Sequence, residues 1–236
     1  MTPGTHAMVL AAGHGLRLRP LTLARPKPLV EVAGKALIDH GFDRLRAAGV
    51  ETAVVNVHYL AAQIEAWARR QSAPRIVISD ERAELLDTGG GVAKALPLLG
   101  NGPFFVINSD SFWLDEGAPA LDRLRAAWDD RAMDCLLLLS PLDRTVGYDG
   151  KGDFTRAEDG RLSRRATSQG TPLAYIGGYL ASPRIFAAAP RGAFSMNLLW
   201  DRAIAAGRLF GVEHAGRWLH VGTPGAIALA EAALGA

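Results

Sequence analysis

Gly13 and Gly15 stand at the end of a short apolar run, and Arg17, Arg19 and Lys27 follow in the stretch "LAAGHGLRLRPLTLARPKPL". Glycine lets a backbone approach a ligand closely and turn its N–H groups toward anionic oxygens; guanidinium and ammonium groups then add formal positive charge. Together these residues read as a phosphate clamp. Pro26 and Pro28 flank Lys27, fix one φ angle on each side and bias Lys27 toward extended geometry, which would hold its ammonium at a reduced entropic cost. The alternative for the same residues is a solvated basic loop. Two familiar phosphate loops fit less well: G-x-x-x-x-G-K-[ST] does not occur, and G-x-G-x-x-G fails at Leu18.

A carboxylate for the same chemistry lies in "FFVINSD". An apolar strand ending in Asn-Ser-Asp would deliver Asp110 to the carboxyl edge of a parallel sheet, where a hard oxygen ligand suits Mg²⁺ held against two phosphates. Its plainer role is a helix N-cap or turn former. Asn108 shares a strand face with Asp110 by period-two alternation and is a candidate contact to a sugar or ribose. "DTGGG" supplies Gly89 and Gly90 ahead of a helical segment, either as a close approach to a flat base or as a flexible turn.

These residues need elements to position them. "AMVLAAG", "TAVVNVH", "RIVIS" and "FFVIN" have strand character, while "ALIDHGFDRLRAAG", "LAAQIEAWARR" and "GVAKALPLL" have helical character. Strands separated by such helices imply crossover connections and a mainly parallel sheet covered on both faces. From about residue 140 the chain turns rich in Gly, Asp and Thr, which suggests hairpins extending the sheet.

The 236 residues are 49% hydrophobic and 21% charged, enough for one globular domain spanning 1–236, with halves at about 1–139 and 140–236. The formal net charge is only +2 and the basic residues are dispersed, so no nucleic-acid partner is expected. Cys135 sits in "CLLLLS" as a buried small hydrophobe. Neither a leader pattern nor an apolar run of membrane-spanning length is present, so no membrane partner and a cytoplasmic location are expected. The sequence leaves the oligomeric state open.

The sequence resembles the sugar-1-phosphate nucleotidyltransferases, whose opening signature runs L-A-A-G-x-G-T-R-L-x-P-L-T followed by P-K-P. Here it reads "LAAGHGLRLRPLT" and "RPKP", with Leu16 in place of the usual Thr. "LLDTGGGVAKAL", "FFVINSD" and "WLHVGTPGAIALAEAAL" extend the resemblance over nearly the whole chain, nearest to the short uridylyltransferases of the N-acetylmuramate-1-phosphate class. It implies a Rossmann-like α/β fold, a mixed, mainly parallel sheet flanked by helices with a small antiparallel acceptor-binding extension. It also implies a metal-dependent reaction, with Mg²⁺ or Mn²⁺, in which a sugar 1-phosphate attacks the α-phosphorus of a nucleoside triphosphate and releases pyrophosphate. The substrates nearest to hand are UTP and N-acetylmuramic acid 1-phosphate. Mannose or glucose 1-phosphate with another nucleotide, or a catalytically weak nucleotide-sugar binding protein, are the alternatives.

The resemblance also implies roles. Arg17 would hold the leaving phosphates and Lys27 would bridge phosphates at the reacting centre, with Asp110 on the metal. Leu10, Ala11, Ala12, Gly13, Gly15, Gly89 and Gly90 would meet the nucleotide, with Glu81 near the base. For the acceptor, Asn108, Asp153, Arg165, Gly177 and Asn197 are the candidates, Arg164 standing beside Arg165. Relatives place Asp where "WLHVGT" has His220. Three readings of His220 stay open: a ligand with altered metal preference, a direct contact to substrate phosphate, or an impaired site.

Overall fold

The computed structural model describes residues 3–167 and 169–235. The first half lays down β1 (His6–Leu10), the short hairpin β2 (Glu31–Val32) and β3 (Lys35–Ala36), α1 (Leu37–Ala47), β4 (Thr52–Val57), α2 (Ala61–Ala68), β5 (Arg75–Asp80), α3 (Asp87–Ala95) and β6 (Phe104–Asn108). It continues with β7 (Ser111–Leu114), α4 (Ala120–Ala127), β8 (Cys135–Pro141), β9 (Thr145–Val146), β10 (Phe154–Arg156) and β11 (Leu162–Arg164). The chain closes with β12 (Leu173–Ala181), α5 (Asn197–Ala205), β13 (Leu209–Glu213), β14 (Arg217–His220) and α6 (Pro224–Leu234).

Both halves feed one mixed sheet of nine strands, with the order β11-β10-β12-β6-β1-β4-β5 and with β8 and β13 joined through β12. Strands β6, β1, β4 and β5 are parallel, whereas β12 runs antiparallel to β6, β8 and β10. The parallel core and the antiparallel extension expected from the alternating patterns are therefore both present. Along β1, Ala7 and Val9 face one layer and Met8 the other; β4 and β6 repeat the alternation, with Val55 and Ile107 opposed to Val54 and Val106. One layer packs on α1 and α2 through Ile38, Phe42, Ile64 and Trp67, the other on α3 and α5 through Val92, Ala95, Leu199 and Trp200. Each such large apolar side chain contributes roughly 1.5–3 kcal/mol when fully buried. Among the described residues, no helix is long and apolar enough to cross a membrane.

The fold differs from the sequence reading in three places. Helix α3 starts at Asp87, so Gly89 and Gly90 lie inside it rather than ahead of it. Lys27 opens a 3-10 turn over Lys27–Leu29 instead of running extended between its prolines. A separate three-stranded sheet, β7-β14-β9, packs with α6 around Leu37, Phe112, Leu219, Val221 and Ala230. Its strands are two to four residues long, too short to carry a period-two signature of their own.

Candidate active site

Leu10 at the end of β1 pairs with Asn108 at the end of β6, so these parallel strands open onto the same sheet edge. The Ser109 hydroxyl donates to the Leu10 carbonyl at 2.6 Å and fastens the two ends together. Beyond them the glycine loop folds back on itself. Gly15 has φ +63, a left-handed conformation, and a Cβ there would lie 2.9 Å from the Lys27 Cβ. Thr22, fully buried, donates its hydroxyl to the Gly15 carbonyl at 2.8 Å. Gly13 is different: a Cβ added there would meet nothing within 4 Å, because that side of the loop faces open cleft.

The fold-back brings Lys27 to Asp110, its Nζ donating to Oδ2 at 2.9 Å. Lys27 is the more buried partner, with its side chain 11% exposed against 31% for Asp110. Burial opposes ionisation of Asp110, but the charge and hydrogen bond of Lys27, with His220 acting in the same direction, hold its carboxyl below the ordinary value. Arg17 is exposed at the cleft, and its guanidinium has no ion-pair partner among the described residues. His220 ends β14 opposite Ser111, the neighbour of Asp110. Its Nε2 would lie 2.7 Å from a Cβ built on Gly222, which lines the cleft. Burial, helped by the charges of Lys27 and Arg17, pushes the His220 imidazole below its ordinary value against the pull of Asp110.

A buried relay supports the backbone of the loop. The Ala11 N–H donates to Asn56 Oδ1 at 2.7 Å, and Asn56 Nδ2 donates to Glu81 Oε1 at 2.8 Å. Glu81 also accepts the Leu86 N–H on its second oxygen at 3.2 Å. Only 1% exposed, Glu81 stands behind the cleft wall and fixes Asn56 instead of meeting a base. Asn56 itself lines the cleft. The signal for it was a lone amide inside the apolar run "VVNVH", where a buried polar side chain needs partners.

The cleft has a volume of about 680 Å³ and gathers Leu10, Ala11, Ala12, Gly13, Gly15, Arg17, Lys27, Asn108 and Asp110 at one edge. Arg19 is exposed and does not line it. A second chamber of about 230 Å³ contains Asp153, Arg164, Tyr175 and Asn197. Leu10, Asp87, Thr88 and Asn108 wall both chambers, which makes them one continuous site. Within "DTGGG" it is Asp87 and Thr88 that line the site, and not the glycines after them.

Three further expectations are corrected. The Gly89 and Gly90 N–H groups both donate to the Phe194 carbonyl, at 2.9 and 3.1 Å, and so are not presented to a nucleotide. Their small size is needed for the same contact: a Cβ would lie 2.3 Å from the Phe194 ring at Gly89 and 2.4 Å from the Gly192 carbonyl oxygen at Gly90. Arg165 is exposed outside both chambers, and its N–H donates to the Asp153 carbonyl at 3.0 Å, leaving Arg164 as the arginine that lines the acceptor side. Gly177 is buried with φ +84 where the β12–β8 register shifts between Tyr175 and Tyr179, so it serves a bulge and does not line either chamber.

Residues 6–148 match the nucleotidyl transferase family model. The chain is 52% identical over 232 residues to the N-acetylmuramate alpha-1-phosphate uridylyltransferase of Caulobacter vibrioides, covering 97% of this chain and 96% of the relative. It is 35% identical over 233 residues to the protein of the same name from Neisseria meningitidis serogroup B, covering 98% of each. Among solved structures, a UDP-glucose pyrophosphorylase complexed with UDP-glucose shares the fold with a TM-score of 0.79 at 17% identity, over 99% of this chain and 98% of that one. The inositol-1-phosphate CTP transferase from T. maritima does so with a TM-score of 0.77 at 18% identity, over 96% and 95% of the two chains. With the glycine loop, Lys27 and Asp110 inside the matched segment and two relatives aligned from end to end, the chain belongs to the nucleotidyl transferase family.

Proposed function

We propose that this protein transfers a uridylyl group from UTP to N-acetylmuramic acid 1-phosphate, releasing pyrophosphate and forming a nucleotide sugar. The observation that carries the chemistry is the Lys27–Asp110 pair, 2.9 Å apart in a cleft that opens into a second chamber. The identity of the two substrates rests on the names of the full-length relatives.

A phosphate monoester oxygen is nucleophilic near neutral pH, so the reaction needs alignment and charge neutralisation more than a strong base. The acceptor oxygen forms a bond to the α-phosphorus as the bond to pyrophosphate breaks. Lys27 neutralises charge at that centre, and Arg17 takes the departing phosphates from the cleft mouth. The Ala11–Asn56–Glu81 relay holds the loop backbone still while this happens.

Asp110 fits a Mg²⁺ role on donor chemistry: one oxygen is taken by Lys27, and the other is a hard ligand of the kind that joins substrate phosphates and water around Mg²⁺ or Mn²⁺. Among the described residues, no cluster of three metal-ligating side chains exists, so substrate oxygens would complete the shell. When bound, the ion would withdraw charge from the triphosphate. The same reading places the protein in the cytoplasm, where its two substrates would meet.

The test is pyrophosphate release with each nucleoside triphosphate, Mg²⁺ or Mn²⁺, and the 1-phosphates of N-acetylmuramic acid, N-acetylglucosamine, glucose and mannose. Release that requires both UTP and the muramic acid phosphate is expected. Saturable nucleotide binding without turnover across the panel would overturn the reading.

A further inference from the structure

The second chamber poses a charge problem that the transfer reaction does not explain. The phosphate of the acceptor has to reach the α-phosphorus beside Lys27 and Asp110, in the main cleft. Arg164 is absent from the wall of that cleft and lines the second chamber instead, in which it is the cation among the described residues. A neutral hexose would present only hydroxyl groups there, and these call for neutral partners or for a carboxylate such as Asp153, whose Oδ2 already accepts the Tyr175 N–H at 2.9 Å. A guanidinium is matched to a planar anion.

Its setting is prepared for one. Arg164 lies over the Phe154 ring, 4.7 Å from the centroid, and its Nη2 donates to Asn197 Oδ1 at 2.9 Å. Its Nε donates to Asp201 at 2.7 Å. Asp201 lies outside the chamber with its side chain 58% exposed, against 26% for Arg164. An ion pair open to water on one side contributes little stability, so Asp201 is a weak competitor that can yield the guanidinium to a carboxylate held inside the chamber.

We propose that Arg164 binds the carboxylate on the lactyl ether of an N-acetylmuramyl acceptor and thereby selects a sugar acid over a neutral sugar, an inference that rests on the substrate reading above.

The test compares binding of UDP-N-acetylmuramic acid with UDP-N-acetylglucosamine, which lacks the lactyl ether, by titration calorimetry on wild type, Arg164→Met and Asp201→Asn. Wild type is expected to prefer the muramyl ligand by about 10- to 100-fold, the range of a hydrogen bond to a charged group. Arg164→Met should abolish the preference while leaving the glucosaminyl ligand within about twofold. Asp201→Asn, at an exposed position, should tighten the muramyl ligand alone by removing a competing anion. Equal weakening of both ligands in Arg164→Met would show a structural role and overturn the assignment, as would a preference kept in both variants. If Arg164→Met fails to fold, an unchanged preference in Asp201→Asn overturns it by itself. Wild type with no turnover of the muramic acid phosphate brings down the substrate reading; turnover with a preference indifferent to both substitutions brings down the Arg164 assignment alone.

Discussion

Lys27 donates a 2.9 Å hydrogen bond to Asp110 across 83 positions of chain, tying the glycine loop to the end of β6. If Lys27 neutralises charge at the reacting centre as proposed, Lys27→Met removes a preorganised positive donor there, and turnover should fall by about a hundredfold or more. The fold should survive, because the Asp110 side chain is 31% exposed and water can solvate the abandoned carboxylate. Steady-state kinetics beside a thermal melt separate the two effects; near-normal turnover would remove Lys27 from the mechanism.

Glu81 acts through Asn56. In Glu81→Gln the new amide can satisfy either the Asn56 Nδ2 or the Leu86 N–H through its oxygen, but its NH2 group then faces a donor. An Asn56 flip would turn its NH2 toward the Ala11 N–H instead. One buried donor is orphaned in every arrangement, at about 1–3 kcal/mol. The expected result is a lowered Tm together with a KM for UTP that rises more than the KM for the acceptor.

Gly13 and Gly90 should respond oppositely to alanine. Gly13→Ala projects a methyl into open cleft, so Tm should hold while nucleotide Kd weakens about tenfold, equivalent to a 1.4 kcal/mol clash. In Gly90→Ala the methyl would come within 2.4 Å of the Gly192 carbonyl oxygen. That contact should outweigh the 0.5–1 kcal/mol or so that alanine ordinarily gains over glycine in a helix, and Tm should drop. A more stable Gly90→Ala protein would show that the 192–194 segment yields freely.

His40, His214 and His220 are all held below the ordinary imidazole value of 6.5, with burial the largest cause in each. Neutral in the fold, they take up protons more readily once the chain unfolds. They therefore leave stability unchanged above about pH 6.5, and below it stability declines toward their lower folded values, by up to about 1.4 kcal/mol per pH unit for each. His40 stacks on Phe112 at 4.0 Å and its buried Nε2 has no hydrogen-bond partner among the described residues. His40→Phe should keep the stack and lessen the loss of Tm between pH 7.5 and 5.5; an equal loss would absolve His40.

His220→Asp would place a second carboxylate beside Asp110. If His220 serves the metal, the ratio of Mg²⁺- to Mn²⁺-supported turnover should rise, since hard oxygen donors suit Mg²⁺ better than imidazole does. An unchanged ratio would assign His220 to the substrate phosphates or to neither.

The parallel core was legible because β1, β4, β5 and β6 are apolar runs bounded by turn residues. The juxtaposition of the glycine loop with Asp110 followed from strand ends that share an edge. The roles of Gly89, Gly90 and Glu81 were not legible, because their partners, Phe194, Gly192 and Asn56, are distant in sequence and carry no local pattern. A glycine run has the same composition whether it turns a loop or makes room for a neighbouring ring. Arg164 and Arg165 differ only in which one falls on the chamber side of a hairpin end, and composition does not reveal that.

Phe194 accepts from Gly89 and Gly90 and donates to the Leu86 carbonyl, and the Thr88 hydroxyl oxygen accepts the Met196 N–H at 2.9 Å. The start of α3, whose Asp87 and Thr88 wall both chambers, and the 192–196 segment, whose Ser195 and Met196 wall the second, are thus stitched along a common seam. A substitution in 192–196 that retunes the choice of sugar will tug on the nucleotide side as well, so altered preferences for the two substrates should arise together.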